Sequence, residues 1–542
     1  MLTNSALRFL IYAGLGIVIG ALVALLEFIT LDVTLEAVLT SPIWVQLILP
    51  PVGLIVVYAI ISRTAGASST SSDAYIESFH SGSGAEGKAL LPKLIASFGT
   101  IGSGGAVGLE GPSILMGATI GQTLGNRIPR VLGEKPRLVL LVAGAAAGVA
   151  AIFRAPATGV LWAIEAPYRN DVSRYGLIPA LIAAAASYLT FITFLGDEPL
   201  LRFNPTELEI RDELLAAVLI GVLAGIVAKG LARGFGYAKS LSRRYAFAVR
   251  LPIAAVTMGG ALLIANAFVD EPVTIGIGSE VAASLVLDNE VTLLAIVVLF
   301  VLRFFVTGAV LSLGGVGGVF IPLVVQGIFL GRAVEIIVGA PSTGLYPVIG
   351  LAAVLGAGYR TPLAAVMFVA ETTGRAEFVI PALIATAIAQ TMMGSDSVSE
   401  NQRSARQGQL ERRLNEPASS VMIDDLGVIT PDATLFDVID GYGDRSQSFA
   451  IPVGGPKYEG LIVLHDLAAA ILEYGPDCGV RQAMRQLPSI RADEPAVEAA
   501  RLMNRHDTAA IGVVDENDYP VGVISTTSLA GLTSVDLDST VD

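Results

Sequence analysis

Apolar residues run in long blocks from residue 6 to about residue 393, and the remainder of the chain carries only short apolar patches among charges. The blocks are Ala6–Thr30, Ile43–Ser62, Leu138–Ile152, Leu177–Leu195, Leu214–Ala232, Leu251–Ala267, Val291–Leu311, Val319–Val338, Tyr346–Ala357 and Val379–Met393. They predict spanning and half-spanning helices. Several fall short of the roughly 20 residues needed to cross about 30 Å of hydrocarbon. Short blocks broken by Gly and Pro predict helices that stop inside the membrane, where protein or a water-filled cavity must satisfy their freed backbone groups. After Gln402 the pattern changes: 403–415 reads as a charged linker, and 416–475 and 476–533 as two copies of a small α/β unit. Each copy has a helical stretch, a short apolar strand and a glycine-led return strand: LFDVIDGYG, FAIPV and GLIVLHDL, then AVEAARLMNRH, AAIGVVD and GVISTTSL. Neither is large enough to bury a comfortable core alone, so the two are expected to pair. Residues 534–542 form a tail.

The membrane region, 1–402, repeats itself. GGAVGLEGP at Gly104–Pro112 aligns with GGVGGVFIP at Gly314–Pro322, sharing the first two glycines, Gly108 with Gly318, and Pro112 with Pro322. Glu110 falls opposite Phe320. RAPATGVLWAIE at Arg154–Glu165 aligns likewise with RTPLAAVMFVAE at Arg360–Glu371. Two repeats, roughly 1–200 and 210–402, follow. Gly/Pro-interrupted apolar segments in corresponding places point to a transport site near the membrane midplane. Within each Arg-x-Pro…Glu string, the charges read as helix-end pairing and snorkelling.

Composition narrows the class. The chain of 542 residues is 53% hydrophobic and 15% charged, with mean hydropathy +0.68, which excludes an ordinary soluble enzyme. The N-terminal apolar run exceeds a signal-peptide core and reads as retained. The one cysteine, Cys478, excludes an intrachain disulfide, and His80, His465 and His506 have no metal-ligand spacing, so no metal site is expected. A net charge of −14 with six lysines argues against a nucleic-acid partner. It also suits folding in a salt-rich cytoplasm, as it would suit drift in base composition.

The glycine strings supply the chemistry. The first N–H groups of a helix have no intrahelical partner and carry the positive end of its dipole. They can hold an anion without a full positive charge, so the anion can leave again. In GLEGP and GGVFIP, glycine lets the backbone turn and proline at the helix start sacrifices no needed donor. Glu110 is then a tethered competitor of the permeant anion, released by protonation. Burial and amide hydrogen bonds pull its proton affinity in opposite directions, so a pH-dependent gate is expected. A helix cap is the plainer role for it. In Gly82-Ser83-Gly84, the Ser83 hydroxyl could donate to a partly dehydrated halide, or the string could be a flexible turn.

These strings, in this order, resemble the CLC chloride channel and chloride/proton exchanger family, and 417–533 resembles the cystathionine-β-synthase (CBS) domain pairs that many of its members carry. The resemblance implies an all-α polytopic membrane domain of two inverted repeats with re-entrant helices, plus a cytoplasmic α/β CBS pair. It also implies a homodimer in the cell membrane, one anion pathway per subunit and no enzymatic activity. Carried over by motif position, Glu110 is the gating glutamate and Ser83 a ligand of the central anion. The amides of Leu109, Glu110, Gly111, Val319, Phe320 and Ile321 line the remaining sites. Serine at the GSG position implies chloride. No cofactor is required.

The departures are specific. GSGAE stands where the family usually has GSGIP. Ala166 follows Glu165 where exchangers commonly carry a second, proton-relaying glutamate. The stretch Ser397–Gln402 has no tyrosine where the family usually supplies a hydroxyl, Ser399 or Val398 taking its place. Alanine cannot relay a proton, and loss of the tyrosine should open the inner end of the pathway. Both favour a passive chloride channel gated by Glu110 over a coupled chloride/proton exchanger. In the CBS copies the nucleotide motif is split: the first keeps Asp466 but has Val463 at the hydroxyl position, and the second keeps Ser525 but has Ser528 for the aspartate. A dimerisation module is expected ahead of an adenine-nucleotide site. Two other readings compete: a divalent-cation transporter with a CBS sensor, which would want clustered carboxylates, and a hydrolase using Ser83, for which His80 in a loop-like run is the nearest base.

Overall fold

The computed structural model describes residues 4–64, 71–81, 87–128, 135–173, 175–198, 210–269, 271–287, 291–342, 344–406, 414–424, 427–442 and 450–530. The chain forms two compact units, Met1–Arg406 and Gln407–Asp542.

The first unit is helical. Its first half contains α1 (Asn4–Glu27), α2 (Ile43–Ile61), α3 (Ser71–Ser81), α4 (Gly87–Gly102), α5 (Glu110–Arg127), α6 (Pro136–Ile152), α7 (Pro156–Glu165) and α8 (Leu177–Leu195). The second half repeats the order: α9 (Ile210–Arg244), α10 (Phe247–Ala265), α11 (Ser279–Leu287), α12 (Leu293–Ser312), α13 (Phe320–Val338), α14 (Leu345–Tyr359), α15 (Pro362–Thr373) and α16 (Val379–Met393). Among the described residues, eight helical stretches are long and apolar enough to span a membrane, and four apolar helices of 10–17 residues are too short. The first of the eight runs from α1 through a π-helical segment, Phe28–Leu35, to a last turn at Glu36–Leu39.

Packing explains the composition. With lipid outside, helices gain from close backbone approach rather than from burying large apolar side chains. Along α8 the small residues Ala180, Ala183, Ala184 and Ser187 are buried, while Ile178, Leu189 and Phe194 face outward. The pairs α5/α6 and α13/α14 meet at corresponding glycines. A Cβ on Gly117 would strike the Gly144 carbonyl and one on Gly144 the Gly117 carbonyl, and Gly327 and Gly350 stand in the same relation. The same glycine contact thus recurs at the corresponding place in each half.

Helix α9 runs well past the expected Leu214–Ala232. Its last four turns carry Lys229 and Arg233 toward Asp396 (3.7 and 3.1 Å), Lys239 toward Asp73 (3.2 Å) and Arg243 toward Glu400 (3.8 Å). Apolar patterning cannot see a helix whose charges are matched by acids distant in sequence. His80, read as loop, lies in α3, where its Nε2 is 2.7 Å from the Pro167 carbonyl oxygen.

In the second unit, β1 (Ala450–Gly454) pairs antiparallel with β2 (Tyr458–Val463), which leads into α19 (Leu464–Tyr474) after α17 (Ala418–Val421) and α18 (Leu435–Tyr442). Strand β3 (Ser489–Arg491) runs parallel to β4 (Ala510–Val514), and β4 antiparallel to β5 (Pro520–Ser525), with α20 (Ala496–His506) and α21 (Thr526–Ala530) alongside. The cores cross the expected 475/476 boundary. Ala418 and Val421 are buried with Ile490, Met503, Ile511 and Ile524 of the later copy, and the Ile423 amide donates to the Val523 carbonyl at 2.8 Å. Conversely, Val480 is buried with Leu435, Ile451 and Ile462. Each copy is completed by chain from the other, which is how two undersized cores become one stable unit.

Candidate anion site

The two glycine strings meet. After α4 and α12 the chain turns through Gly104 (φ 103°) and Gly314 (φ 81°), left-handed angles that favour glycine. It then forms a two-bond bridge: the Gly108 amide donates to the Gly318 carbonyl at 2.9 Å and the Gly318 amide to the Gly108 carbonyl at 2.8 Å. Across the same contact, Thr100 Oγ1 accepts from the Val316 amide at 3.0 Å and Thr307 Oγ1 donates to the Ala106 carbonyl at 3.0 Å. This bridge brings the starts of α5 and α13 face to face. Leu109 and Val319 are the N-caps, and their carbonyls accept from the Ser113 and Leu323 amides at 3.1 Å. Pro112 and Pro322 hold the third helical position, so the amides of Glu110 and Gly111, and of Phe320 and Ile321, are the donors left free of the helix ladder at each end.

Glu110 fills the space between the two ends. It is 1% exposed, its Oε1 accepts from the Phe320 amide at 2.7 Å, and the amides of Ile321 and of Glu110 itself also face the carboxyl. Its Oε2 is buried without a partner. The fit is tight, since a Cβ on either Gly108 or Gly318 would run into the carboxylate. The expected amide-lining residues are thus brought together. Ser83, the expected hydroxyl ligand, lies outside the described residues.

On one side of Glu110 opens a cavity of about 230 Å³, lined by Leu109, Ile321, Arg154 and the acids Glu27, Asp32, Glu36 and Glu280. The expected pairing within each Arg-x-Pro…Glu string is not what forms. Arg154 Nη2 lies 3.3 Å from Glu27 Oε1. Glu165 crosses to the other repeat and accepts from the Leu363 and Ala364 amides at the start of α15, at 3.2 and 2.9 Å. Glu371 crosses back to α7, accepting from the Ala157 and Thr158 amides and from Thr158 Oγ1 at 2.9, 2.8 and 2.7 Å. Arg360 binds Asn170 and the carbonyls of Arg169 and Gly394. Two proline-led helix starts bare their amides inside the protein, and a carboxylate is the strongest acceptor for them.

A hydroxyl also stands near the start of α13, from a place the family pattern does not point to. A tyrosine from elsewhere, Tyr359 at the end of α14, is 1% exposed, its ring 6.1 Å from that of Phe320. Its hydroxyl lies 3.4 Å from Ser72 Oγ, and the Val319 amide faces its oxygen. Sequence reasoning missed it, although it sits one place before Arg360 just as Phe153 sits before Arg154. Ser399 is turned away to Asp73, its Oγ donating to Oδ1 at 2.5 Å. Ala166 is buried, and its carbonyl and that of Tyr359 both accept from Gln402 Nε2 at 2.8 Å.

In the second unit the expected nucleotide residues are already engaged. Asp466 Oδ2 lies 2.5 Å from Arg485 Nη2, and Ser525 Oγ accepts from the Ser528 amide at 3.1 Å and contacts Thr527 Oγ1 at 2.8 Å. Among the described residues no group of three His, Cys, Asp or Glu side chains is arranged to hold a metal.

A family model described as voltage gated chloride channel matches residues 52–394, and a CBS domain model matches 480–532. A protein of Salmonella paratyphi A (strain ATCC 9150 / SARB42) named H(+)/Cl(-) exchange transporter ClcA is 28% identical over 322 residues, 56% of this chain and 67% of that protein. Two solved structures share the fold. One, a CLC-type fluoride/proton antiporter, has TM-score 0.63 at 23% identity, over 74% of this chain and all of that one. The other, a eukaryotic CLC transporter, has TM-score 0.60 at 15% identity, over 96% and 98%.

Proposed function

The chain belongs to the voltage-gated chloride channel (CLC) family, and on that premise we propose that it is a chloride/proton exchanger in which Glu110 alternates with chloride at the facing starts of α5 and α13. The observation that carries this reading is the Glu110 carboxylate bound to the Phe320 amide, a negative group held where an anion would take the same donors. A carboxylate in that place competes with an anion for the same amides and is released by a proton, so one residue can answer to both ions.

The passive-channel reading rested on Ala166 and on an inner end opened by the missing tyrosine. Tyr359, a buried hydroxyl beside Phe320, weighs against the second support, and the relative reported above is named an exchanger. Ala166 alone still favours a channel. The divalent-cation and hydrolase readings have no place in a chain of this family. Chloride selectivity, a homodimer and a cytoplasmic CBS pair are proposed with the family reading, and the pair is taken as a structural module because Asp466 and Ser525 are engaged within it.

The test is flux in proteoliposomes with internal pH recorded. Each chloride moving down a tenfold gradient releases about 1.4 kcal/mol, the work of raising one proton through one pH unit. Protons driven uphill by chloride support the exchanger, and chloride flux without proton movement makes the protein a channel. Glu110→Gln, which mimics the protonated gate, is expected to abolish proton movement and to flatten the pH dependence of chloride flux. The mass of the detergent-solubilised protein tests the dimer. Added ATP or AMP is expected to leave the thermal midpoint of the full chain unchanged.

A further inference from the structure

Helix α11 begins on the wall of the cavity that leads to Glu110, and the groups at its start are donors without acceptors. We propose that the start of α11 is a second binding site for a small monovalent anion, where the Ser279 hydroxyl and the first amides of the helix hold chloride before it reaches Glu110. The inference rests on the chloride reading, and it holds whether or not protons are coupled.

The string GIGSEV at Gly276–Val281 sets this up. Gly276 and Gly278 take left-handed φ angles of 61° and 68°, and the Gly276 amide donates to the Gly104 carbonyl at 2.9 Å, tying this turn to the first glycine string. The first bond of the helix runs from the Ala282 amide to the Gly278 carbonyl at 3.0 Å, so the amides of Ser279, Glu280 and Val281 have no partner in the helix ladder. All three residues line the cavity, as do Leu109, Glu110 and Arg154. Ser279 is 0% exposed, and its Oγ has no partner among the described residues. A buried hydroxyl left without an acceptor on a cavity wall marks the place of an ion or a water. Helix α3 stands third in its repeat as α11 does in the other, and its first turn also carries a buried serine, Ser72. That serine has company, lying 3.4 Å from the Tyr359 hydroxyl.

The charge at the turn favours an anion. Arg303 of α12 is fully buried and gives its guanidinium to the carbonyls of Val273, Gly276 and Ile277. Three oxygens that would repel an anion are thereby taken up. The guanidinium stays charged, and its hydrogen-bond partners among the described residues are all carbonyls, so its charge is not cancelled by a carboxylate. Elsewhere on the cavity wall, Arg154 pairs with Glu27 through Nη2, while its Nε is buried without a partner among the described residues. The other acids of the cavity, Asp32, Glu36 and Glu280, are exposed, where water and salt screen them. Amides and a hydroxyl hold a halide without a full charge in contact with it, and so release it readily. That suits a place where chloride waits for Glu110 to vacate the Phe320 amide.

Crystals of the full chain soaked in sodium bromide test the site, since bromide stands in for chloride and is located by its anomalous scattering. Bromide is expected beside Ser279 in the wild type and absent there in Ser279→Ala. Flux in proteoliposomes gives a second readout: in Ser279→Ala the half-saturating chloride concentration is expected to rise about fivefold, with maximal flux kept. Losing an unpartnered hydroxyl should leave the thermal midpoint in chloride-free buffer unchanged. A midpoint that falls there would show that the hydroxyl serves the fold, and would overturn the proposal. Bromide between α5 and α13 in Glu110→Gln, with none beside Ser279 in that variant or in the wild type, overturns the α11 site and leaves the chloride reading standing. No bromide at either place in Glu110→Gln, together with no chloride flux from the wild type, overturns the chloride reading and this site with it.

Discussion

At Gly318 the space available to a single hydrogen atom decides whether Glu110 can sit where it does. The backbone there is not left-handed, so alanine brings no strain of its own, but its Cβ would occupy the place of the carboxylate. Gly318→Ala is therefore expected to drive Glu110 off the Phe320 amide and to reproduce the flattened pH dependence of Glu110→Gln. Flux that keeps the wild-type pH profile in Gly318→Ala would show that the carboxylate does not need this seat to close the pathway. The sequence already paired Gly108 with Gly318 and set Glu110 opposite Phe320, because a duplication puts equivalent residues in register. It could not show Tyr359 beside that site. The family pattern directs attention to residues 397–402, and a side chain arriving from another helix is visible only once the helices are packed.

Among the elements, the short helices α7 and α15 each depend on the opposite repeat to satisfy their first amides. Each begins with a proline, each starts inside the protein, and each is capped by a glutamate from the opposite repeat. Leaving buried donors without an acceptor costs about 1–3 kcal/mol apiece. Glu371→Ala is expected to lower stability by roughly that amount or more, with Glu165→Ala close behind, read as a drop in thermal midpoint in detergent. If the two substitutions cost nothing, the crossed caps are incidental. Helix positions in the membrane half were legible because apolar blocks of limited length stand between Gly and Pro breaks. The partners of Glu165 and Glu371 were not, since sequence proximity suggested Arg154 and Arg360. Charges inside a membrane protein answer to helix ends as much as to opposite charges.

Over the whole molecule, the first unit is closed by residues 394–406 lying back against its own loop. The Arg169 amide donates to the Arg403 carbonyl at 2.8 Å, the Asn170 amide to the Ser404 carbonyl at 3.0 Å, and Arg406 Nε lies 2.7 Å from Asp171 Oδ2. The Arg406 guanidinium holds the Asp171 carboxyl down to about 2. A carboxyl depressed on folding stabilises fully above its ordinary value of about 4 and loses that contribution as pH falls toward its folded value. Amide exchange at 403–406 is accordingly expected to quicken as pH drops from about 4 to about 2, after correction for intrinsic rates, and Asp171→Asn to show the fast pattern at neutral pH. Exchange that is the same in both proteins would assign the tether to the backbone bonds alone.

The crossed glutamates also set a timetable. A ribosome delivers Ala157 and Thr158 long before it reaches Glu371, so the nascent first repeat enters the bilayer with a buried helix start that nothing yet satisfies. Its half of the site cannot mature until the second repeat has been threaded, and a product terminated before residue 371 should be treated by the cell as unfinished and cleared. Two fragments cut between the repeats and made together, by contrast, hold everything each lacks, and should find one another and transport.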